Sequence, residues 1–250
     1  MERRGQCIAV VSGKGGTGKT SFTAGVSAAL AQSGKRVLCL DCDVGLRNLD
    51  LALGLSDRAL MDFSDVAQNR CPLAAAVVEH PHLPGLFLLT APVRSRGRPA
   101  TEEQMAKLLR DIRERFDYCL LDAPAGLGMG FLLATAAADR CVVVTTTDAS
   151  SLRDAQHTVM ELSRFPTGSL HLIVNRVRKK LLRSMHATID DAIDKAGLPL
   201  LGVVPEDDAL PLCLNRGVPL LLADSGMAAS AYRNIAKRIQ GVRVPLLRIK

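Results

Sequence analysis

The sequence predicts an α/β fold in which a doubly wound, mostly parallel sheet has helices on both faces. Short, nearly continuous apolar runs alternate with helix-like segments along the whole chain. Such runs are typical of parallel strands that are buried on both faces. Hydrophobic residues make up 48% of the 250 residues, which is enough for a substantial core. Because no linker-like stretch divides the chain, we expect one domain over residues 1–241 and a short basic, hydrophobic tail over residues 242–250.

The first half of the chain contains three predicted strands, "CIAVVS", "RVLCLD" and "LFLLTAPV". The first leads into the helical segment "TSFTAGVSAALAQSG", for which Gly34 is the expected C-cap. A mixed stretch, "DRALMDFSDVAQ", follows the second strand. The third strand leads to the helix "TEEQMAKLLRDIRERF", in which Thr101 and Gln104 have the spacing of a capping box.

The second half contains four more predicted strands, "YCLLDAP", "CVVVTTTD", "LHLIVN" and "LLGVVPED". Each is followed by helical sequence, and the last helix is expected to end at Gly241. Six strands end in polar segments, namely "SGKGGTGKT", "DCDVG", "DAPAG", "TTDAS", "VNR" and "VPEDD". Ligands of open parallel sheets bind at the carboxyl ends of the strands, so these endings predict one site along one edge.

The first of these endings matches the phosphate-binding pattern G-x-x-x-x-G-K-[ST] and lies between a strand and a helix, as that motif requires. Backbone N–H groups of the loop and the start of the helix are expected to surround phosphate oxygens. Lys19 is predicted to contact the β- and γ-phosphates, and Thr20 to bind Mg²⁺. The predicted nucleotide-binding residues of the loop are Gly13, Lys14, Gly15, Gly16, Thr17, Gly18, Lys19, Thr20 and Ser21.

Carboxylates complete the predicted magnesium site, because Mg²⁺ prefers oxygen ligands. Asp122 ends the apolar run "YCLLD", as a Walker B acid does. Asp41 and Asp43 follow another strand and, being two residues apart, share one face. One of them is expected to support the metal's waters while the other positions the attacking water. The predicted metal site is thus Thr20, Asp41, Asp43 and Asp122, and the residues themselves predict catalytic roles for Lys19, Asp43 and Asp122.

Lys14 is a second lysine in a loop whose own phosphate site needs only Lys19. The segment "KGGTGKT" resembles the deviant Walker A loop of the MinD/ParA family of dimerising ATPases. The resemblance implies that Lys14 reaches across a dimer interface to the nucleotide of the other subunit and acts there as an arginine finger does. It also implies ATP and Mg²⁺ as ligands and a homodimer in the ATP-bound state.

Four further segments are similar to the septum-site branch of this family: "DCDVGLRNLDLALGL", "DAPAGLGMG", "DASSLRDA" and "LLGVVPEDDAL". The similarity runs from about residue 6 to residue 240. It implies that Asp43 is the switch I acid, that Asp122 begins switch II, and that Asp154 lies where the second subunit and partner proteins bind. It further implies that the adenine is held by Asn175, Pro205, Glu206 and Asp207. From the residues alone, Asn175 could equally be a turn residue.

The resemblance implies a cytoplasmic protein, attached peripherally to the inner face of the cell membrane, that recruits division regulators of the MinC and MinE type. The sequence departs from the family at its end, where an amphipathic membrane-binding helix is usual. Here "VRVPLLRIK" follows Gly241, and Pro245 limits any helix to about two turns. Leu246, Leu247 and Ile249 among basic residues predict weak binding to an anionic membrane, strengthened when a dimer presents two tails. Alternatively, the tail is disordered or packs on the domain.

Two other functions are compatible with parts of the sequence. The formal net charge of +7, with a basic cluster over residues 176–183, would suit a DNA-binding partitioning ATPase or a flagellar-number ATPase of the same superfamily. An iron–sulfur carrier would need cysteines at the dimer interface, whereas five of the seven cysteines lie in or beside apolar runs. In "CLDC" the two cysteines are expected on opposite faces of a strand. No apolar run is long enough to span a membrane, and the sequence predicts no secretory signal.

Overall fold

The computed structural model describes residues 4–56, 58–93, 99–184, 188–223 and 226–247. These residues form one eight-stranded sheet. The strands are β1 Gln6–Val11, β2 Val37–Asp41, β3 Val78–Glu79, β4 Leu86–Leu89, β5 Tyr118–Asp122, β6 Arg140–Thr145, β7 Leu170–Val177 and β8 Leu200–Pro205. The longer helices are α1 Lys19–Gln32, α5 Glu102–Arg115, α7 Ala149–Glu161, α9 Ile189–Ala196 and α12 Gly226–Ile239. The shorter ones are α2 Asn48–Leu53, α3 Phe63–Ala67, α4 Leu73–Ala76, α6 Met129–Thr135, α8 Lys179–Ser184, α10 Ala209–Asn215 and α11 Leu220–Ala223.

The sheet has the order β3-β4-β2-β5-β1-β6-β7-β8. Neighbouring strands are parallel except for β3, which pairs antiparallel with β4. This confirms the predicted doubly wound, mostly parallel sheet. The six strands with polar endings (β2, β5, β1, β6, β7 and β8) are consecutive in the sheet. The polar endings therefore form one continuous edge, which is the edge where the sequence predicts a ligand.

Two apolar layers cover the two faces of the sheet. On one face α1, α2, α10, α11 and α12 pack against alternate strand residues, and on the other face α3, α4, α5, α6, α7 and α9 do so. Cys39 belongs to the first layer and Cys42 to the second, as the alternation of a strand predicts. The helix pair α1 and α12 makes a close crossing, because Gly25 of α1 lies against the ring of the fully buried Tyr232 of α12.

Local signals predicted several elements and missed the short strand β3. The capping box between Thr101 and Gln104 is present. Helix α1 ends at Gln32 with Ser33 as its C-cap, and Gly34 supplies the left-handed residue just beyond. The mixed stretch after β2 contains α3, which has its own capping box between Asp62 and Asp65. The sequence did not indicate β3, since two residues are too few to show a period.

The C-terminal tail packs back on the domain in the part that the structure describes. Residues 242–247 form no helix, and the Arg238 guanidinium donates hydrogen bonds to the carbonyl oxygens of Val244 and Leu201. Leu247 is partly buried against the core, whereas Leu246 remains 46% exposed. The third predicted membrane-binding residue, Ile249, lies outside the described residues. The sequence left open whether the tail is disordered or packs on the domain, and residues 242–247 pack on the domain.

None of the helices within the described ranges has both the length and the apolar character needed to cross a membrane.

Substituting Gly25 tests the close crossing of α1 and α12. In Gly25→Ala the new Cβ would lie 2.3 Å from a carbon of the Tyr232 ring, so one helix must shift. We expect a loss of about 1–3 kcal/mol in the free energy of unfolding, measured by urea denaturation. Gly128→Ala is the matched control, because its Cβ would meet no atom within 4 Å. Equal stability of Gly25→Ala and wild type would contradict the packing described.

Candidate functional site

The phosphate-binding loop connects β1 to α1 at the centre of the polar edge. Gly16 and Gly18 have φ angles of 79° and 87°, which only glycine adopts readily. Inside the loop, the ammonium group of Lys19 donates a hydrogen bond to Ser12 Oγ at 2.9 Å. Ser12 Oγ in turn donates to the carbonyl oxygen of Lys14 at 2.7 Å. The side chain of Lys19 is thereby held on the inner side of the loop, where the motif requires it.

Two glycines of the loop allow other elements to approach closely. A Cβ on Gly13 would lie 2.5 Å from the carbonyl oxygen of Asp154 in α7. A Cβ on Gly18 would lie 2.3 Å from Nδ2 of Asn175, at the end of β7. The loop is therefore packed against α7 on one side and against β7 on the other. The structure places Asp154, which the sequence assigned to the partner interface, directly beside the loop.

The predicted metal-binding residues meet at the ends of β2 and β5. Asp41 and Asp122 are register partners on these adjacent strands. The hydroxyl groups of Thr20 and Thr23 donate to the two carboxylate oxygens of Asp122, at 2.7 Å and 3.2 Å. Asp41 accepts backbone N–H bonds from Asp43 at 2.8 Å and from Leu49 at 3.3 Å. Asp41 thus also joins the end of β2 to the start of α2.

Burial dominates the electrostatics of these groups. It raises the pKa of Asp41 to about 7, and the neighbouring Asp122 adds to the rise. It raises the pKa of Asp122 to about 6, although the Thr20 hydrogen bond and Lys19 act in the opposite direction. The pKa of the half-buried Asp43 is also raised by burial, against the attraction of Lys19. Burial lowers the pKa of Lys19, and Asp122 and Asp43 oppose that change. A cation bound here would relieve the repulsion among the carboxylates.

Lys14 lies on the outer side of the loop. Its ammonium group donates to Asp148 Oδ1 at 3.0 Å and to Ser150 Oγ at 2.8 Å, and its side chain is 36% exposed. Asp148 is also the N-cap of α7, where it accepts the Ser151 N–H. Burial alone would raise the pKa of Asp148, but hydrogen bonds from Thr146, Ser151, Ser150 and Lys14 outweigh it and hold the pKa well below its usual range. The two lysines of the loop therefore have different partners, Lys19 inside the loop and Lys14 on its outer side at the start of α7.

A cavity of about 210 Å³ opens beside Gly18 and Ser21. It is lined by Asn175, Pro205, Glu206 and Asp207, the four residues that the resemblance assigns to the base. Asn175 Nδ2 donates to the carbonyl oxygen of Thr17 at 2.8 Å, while its buried Oδ1 has no hydrogen-bond partner among the described residues. Asp207 accepts the N–H groups of Ala209 and Ala228, and Glu206 pairs with Arg176.

Four residues that organise this site were not predicted from the sequence, namely Ser12, Asp148, Ser150 and Arg176. Asp148 and Arg176 do follow predicted strands, in the polar endings "TTDAS" and "VNR", and Ser150 comes two residues after Asp148. Their positions in polar segments at strand ends therefore pointed to both charged residues. Their contacts with the loop could not be read in the same way, because they span more than 130 positions in the chain. Only the strand order brings them together.

The residues present suit a magnesium-bound nucleotide. The loop offers backbone donors and Lys19, the strand ends offer Thr20 and carboxylates, and the orphaned Oδ1 of Asn175 is a buried acceptor that calls for a donor. Residues 8–220 match the CobQ/CobB/MinD/ParA nucleotide binding domain family. The chain belongs to this family of P-loop nucleotide-binding proteins.

Within the family the similarity is to cell-division proteins. The chain is 39% identical over 243 residues to the septum site-determining protein MinD of Synechocystis sp., covering 96% of this chain and 91% of the relative. Its structure is similar to that of MinD in the MinC:MinD complex of Aquifex aeolicus, with a TM-score of 0.89, 35% identity and coverage of 97% and 98% of the two chains. MinD of Pyrococcus horikoshii in complex with Mg-ADP has a TM-score of 0.82 and 29% identity, with 94% and 95% coverage.

The pKa values of Asp41 and Asp122 predict how stability depends on pH without nucleotide or Mg²⁺. In the folded state the pKa values of Asp41 and Asp122 are about 7 and about 6, above the ordinary value of 3.8. As the pH rises, the unfolded state therefore loses these two protons before the folded state does. The stabilisation from the protonated groups is complete below pH about 4 and is lost as the pH rises to about 7.

We therefore expect the contribution of Asp41 and Asp122 to the free energy of unfolding to fall between pH 5 and 7 (about 1.4 kcal/mol per pH unit at most for each group), measured by denaturation in EDTA. Asp41→Asn should flatten this dependence, whereas substitution of the exposed Asp111 by Asn should leave it unchanged. Burial lowers the pKa of His80 and of His171, which opposes this trend over the same range, so the test is the difference between wild type and Asp41→Asn. Equal pH profiles of these two proteins would contradict the assignment.

Proposed function

We propose that this protein is a MinD-like ATPase that dimerises on binding ATP, attaches peripherally to the membrane and recruits regulators of division-site placement. The observation that carries the proposal is the divergence of the two lysines in one phosphate loop. Lys19 is buried inside the loop, whereas Lys14 is partly exposed on its outer side and bonded to α7. A lysine in that position is available to a second subunit, because turning away from Asp148 would aim it outward.

The roles of the remaining residues follow from their chemistry. Thr20 and Asp122, already bonded to each other, would hold Mg²⁺, with Asp41 and Asp43 beside them. Bound Mg²⁺ would neutralise charge on the phosphates. Asp43, half-buried and close enough to Lys19 for their charges to interact, would position the attacking water. Asn175 Oδ1 would accept a hydrogen bond from the amino group of adenine, and it would repel the carbonyl group that guanine has in the same place.

Membrane attachment would come from the tail. Leu246 is 46% exposed and follows the exposed Arg243 by three residues, while hydrogen bonds from Arg238 to Val244 hold the described part of the tail. Apolar and basic side chains together bind anionic lipid surfaces, and a dimer would present two tails at once. As partners we propose regulators of the MinC and MinE type, and the MinC:MinD complex of Aquifex aeolicus supports the first of these.

The alternative is a DNA-binding ATPase of the same superfamily. The exposed helix α8 favours it, since Lys179, Lys180 and Arg183 carry positive charge to the surface close to the site. Binding to duplex DNA that weakens steeply with salt, in the presence of ATP, would support this alternative over membrane attachment.

The in-trans role of Lys14 is tested by mixing two inactive variants. Lys14→Ala should bind ATP yet fail to dimerise and to show stimulated hydrolysis, and Asp43→Ala should dimerise but hydrolyse poorly. In a mixed dimer, the Lys14→Ala subunit keeps its own Asp43 and receives Lys14 from its partner. We therefore expect phosphate release to reappear when excess Asp43→Ala is added to Lys14→Ala.

Lys195→Ala, at an exposed position on α9, is the control for loss of a lysine and should resemble wild type. A mixture that stays inactive while Asp43→Ala still dimerises would mean that Lys14 acts within its own subunit. Wild-type turnover by Lys14→Ala alone would remove any catalytic role for this residue.

The membrane proposal is tested by co-sedimentation with vesicles of phosphatidylcholine and phosphatidylglycerol. The full chain should pellet with ATP and Mg²⁺ and stay in solution with ADP and Mg²⁺, and a chain ending at Gly241 should not pellet in either state. Leu246→Gln should weaken pelleting, whereas Leu60→Gln, which changes a leucine that is 93% exposed outside the tail, should not. Absence of pelleting by the full chain in ATP would refute membrane attachment and favour the DNA-binding alternative.

A further inference from the structure

Two consecutive carbonyl groups of the phosphate loop accept hydrogen bonds from two consecutive side chains of β7. Arg176 Nη1 donates to the Gly16 carbonyl oxygen at 3.1 Å. Asn175 Nδ2 donates to the Thr17 carbonyl oxygen at 2.8 Å. The residues differ in burial, because Asn175 is only 2% exposed while the Arg176 side chain is 49% exposed. Arg176 therefore holds the loop from its outer side.

The planarity of the peptide bond makes these contacts relevant to phosphate binding. In a trans peptide the C=O of one residue and the N–H of the next point in opposite directions. The hydrogen bond that draws the Gly16 carbonyl toward Arg176 therefore turns the Thr17 N–H away from Arg176. In the same way, the hydrogen bond that draws the Thr17 carbonyl toward Asn175 turns the Gly18 N–H away from Asn175. These N–H groups belong to the run that binds phosphate oxygens in a loop of this kind. Flanking glycines would otherwise let both peptide units rotate.

Glu206 fixes the guanidinium group of Arg176. The carboxylate accepts from Nε at 3.0 Å and from Nη2 at 3.1 Å, which leaves Nη1 for the loop. This forked arrangement is stronger and more directional than a single contact. The hydrogen bond from Arg176 also lowers the pKa of Glu206, consistent with a persistent ion pair. Glu206 and Arg176 also line the cavity of about 210 Å³ beside Gly18. The ion pair therefore adjoins both the phosphate loop and the cavity proposed for the base.

The backbone at Arg176 is unusual at the point where this contact is made. Its φ angle is 55°, in the left-handed region, which is unfavourable for a residue with a side chain. The pairing of β7 and β8 shifts register between Val174 and Val177, so the strand is irregular where Arg176 lies. Irregularities of this kind redirect a side chain from the face that it would otherwise occupy. Strain of this kind persists where surrounding contacts determine the conformation.

We propose that Arg176 is a positioning residue for nucleotide binding, which, held by Glu206, orients the Thr17 N–H of the phosphate loop. This inference rests on the ATP site of the proposed function. It concerns only the phosphate cradle, and it is independent of dimerisation and of the membrane. Arg176 acts through the loop backbone, so its loss should weaken binding of any ligand that carries the phosphate chain, whether or not the ligand has a base.

The experiment compares ATP with inorganic tripolyphosphate, which has the phosphate chain but no base. We expect Arg176→Ala to weaken both ligands by a similar factor, roughly five- to tenfold, measured by isothermal titration calorimetry with Mg²⁺. A loss for ATP alone would overturn the proposal, because Arg176 would then act on the base. Unchanged affinity for both ligands would also overturn it.

Two further substitutions separate positioning from charge and from folding. Arg178→Ala removes the same charge from a side chain whose bond at 3.4 Å goes to Glu206, and it should bind both ligands as wild type does. An equal loss in Arg178→Ala would overturn the proposal in favour of a general electrostatic effect. Arg176→Lys should restore only part of the affinity, since an ammonium group cannot fork onto Glu206 and reach Gly16 together.

Glu206→Gln keeps the shape of the side chain but removes its charge, and it should give a smaller loss for both ligands. No loss in that variant would overturn the role of Glu206. Thermal unfolding should give the same midpoint for Arg176→Ala and Arg178→Ala. If wild type bound neither ligand, the ATPase proposal would fail, whereas wild-type binding that is unaffected by Arg176→Ala would remove only the positioning role.

Discussion

The buried ammonium group of Lys19 is the constraint on which the rest of the site depends. A charge at a position that is only 7% exposed is tolerable in a folded protein when opposite charges and hydrogen bonds compensate it. Ser12 accepts its hydrogen bond, and Asp122 and Asp43 lie close enough to stabilise its charge. These groups come from the ends of three strands that are neighbours in the sheet, so the strand order β2-β5-β1 is what makes burial of Lys19 possible.

The same three strand ends bring together more negative charge than one lysine compensates. Asp41 and Asp122 have raised pKa values because both are buried and because Asp122 adds its repulsion to Asp41. A divalent cation with attached phosphates would supply the missing positive charge and occupy the donors of the loop. Binding energy and electrostatic relief would therefore come from the same event.

The outer side of the loop is held by a different set of contacts. Gly13 lies against Asp154, Lys14 is bonded to Asp148, and Gly16 is bonded to Arg176. These contacts connect the loop to α7 and to the ends of β6 and β7. A rearrangement of the loop would therefore disturb its packing against these elements. The tail is more remote, since the carbonyl oxygen of Val244 accepts its hydrogen bonds from Arg238 of α12.

The sequence by itself determined the α/β class, the parallel sheet, the phosphate loop and the aspartates at the strand ends. These features depend on local periodicity and on spacings of a few residues, which short-range physics sets. It did not reveal β3, the capping box of α3, the packed tail, or the partners of Lys14 and Arg176. Asp148 and Arg176 lie 134 and 160 positions from the loop residues that they contact, and only the order of β1, β6 and β7 in the sheet makes them neighbours. The tertiary structure decided those contacts because side chains that are far apart in the chain meet only when the sheet has formed.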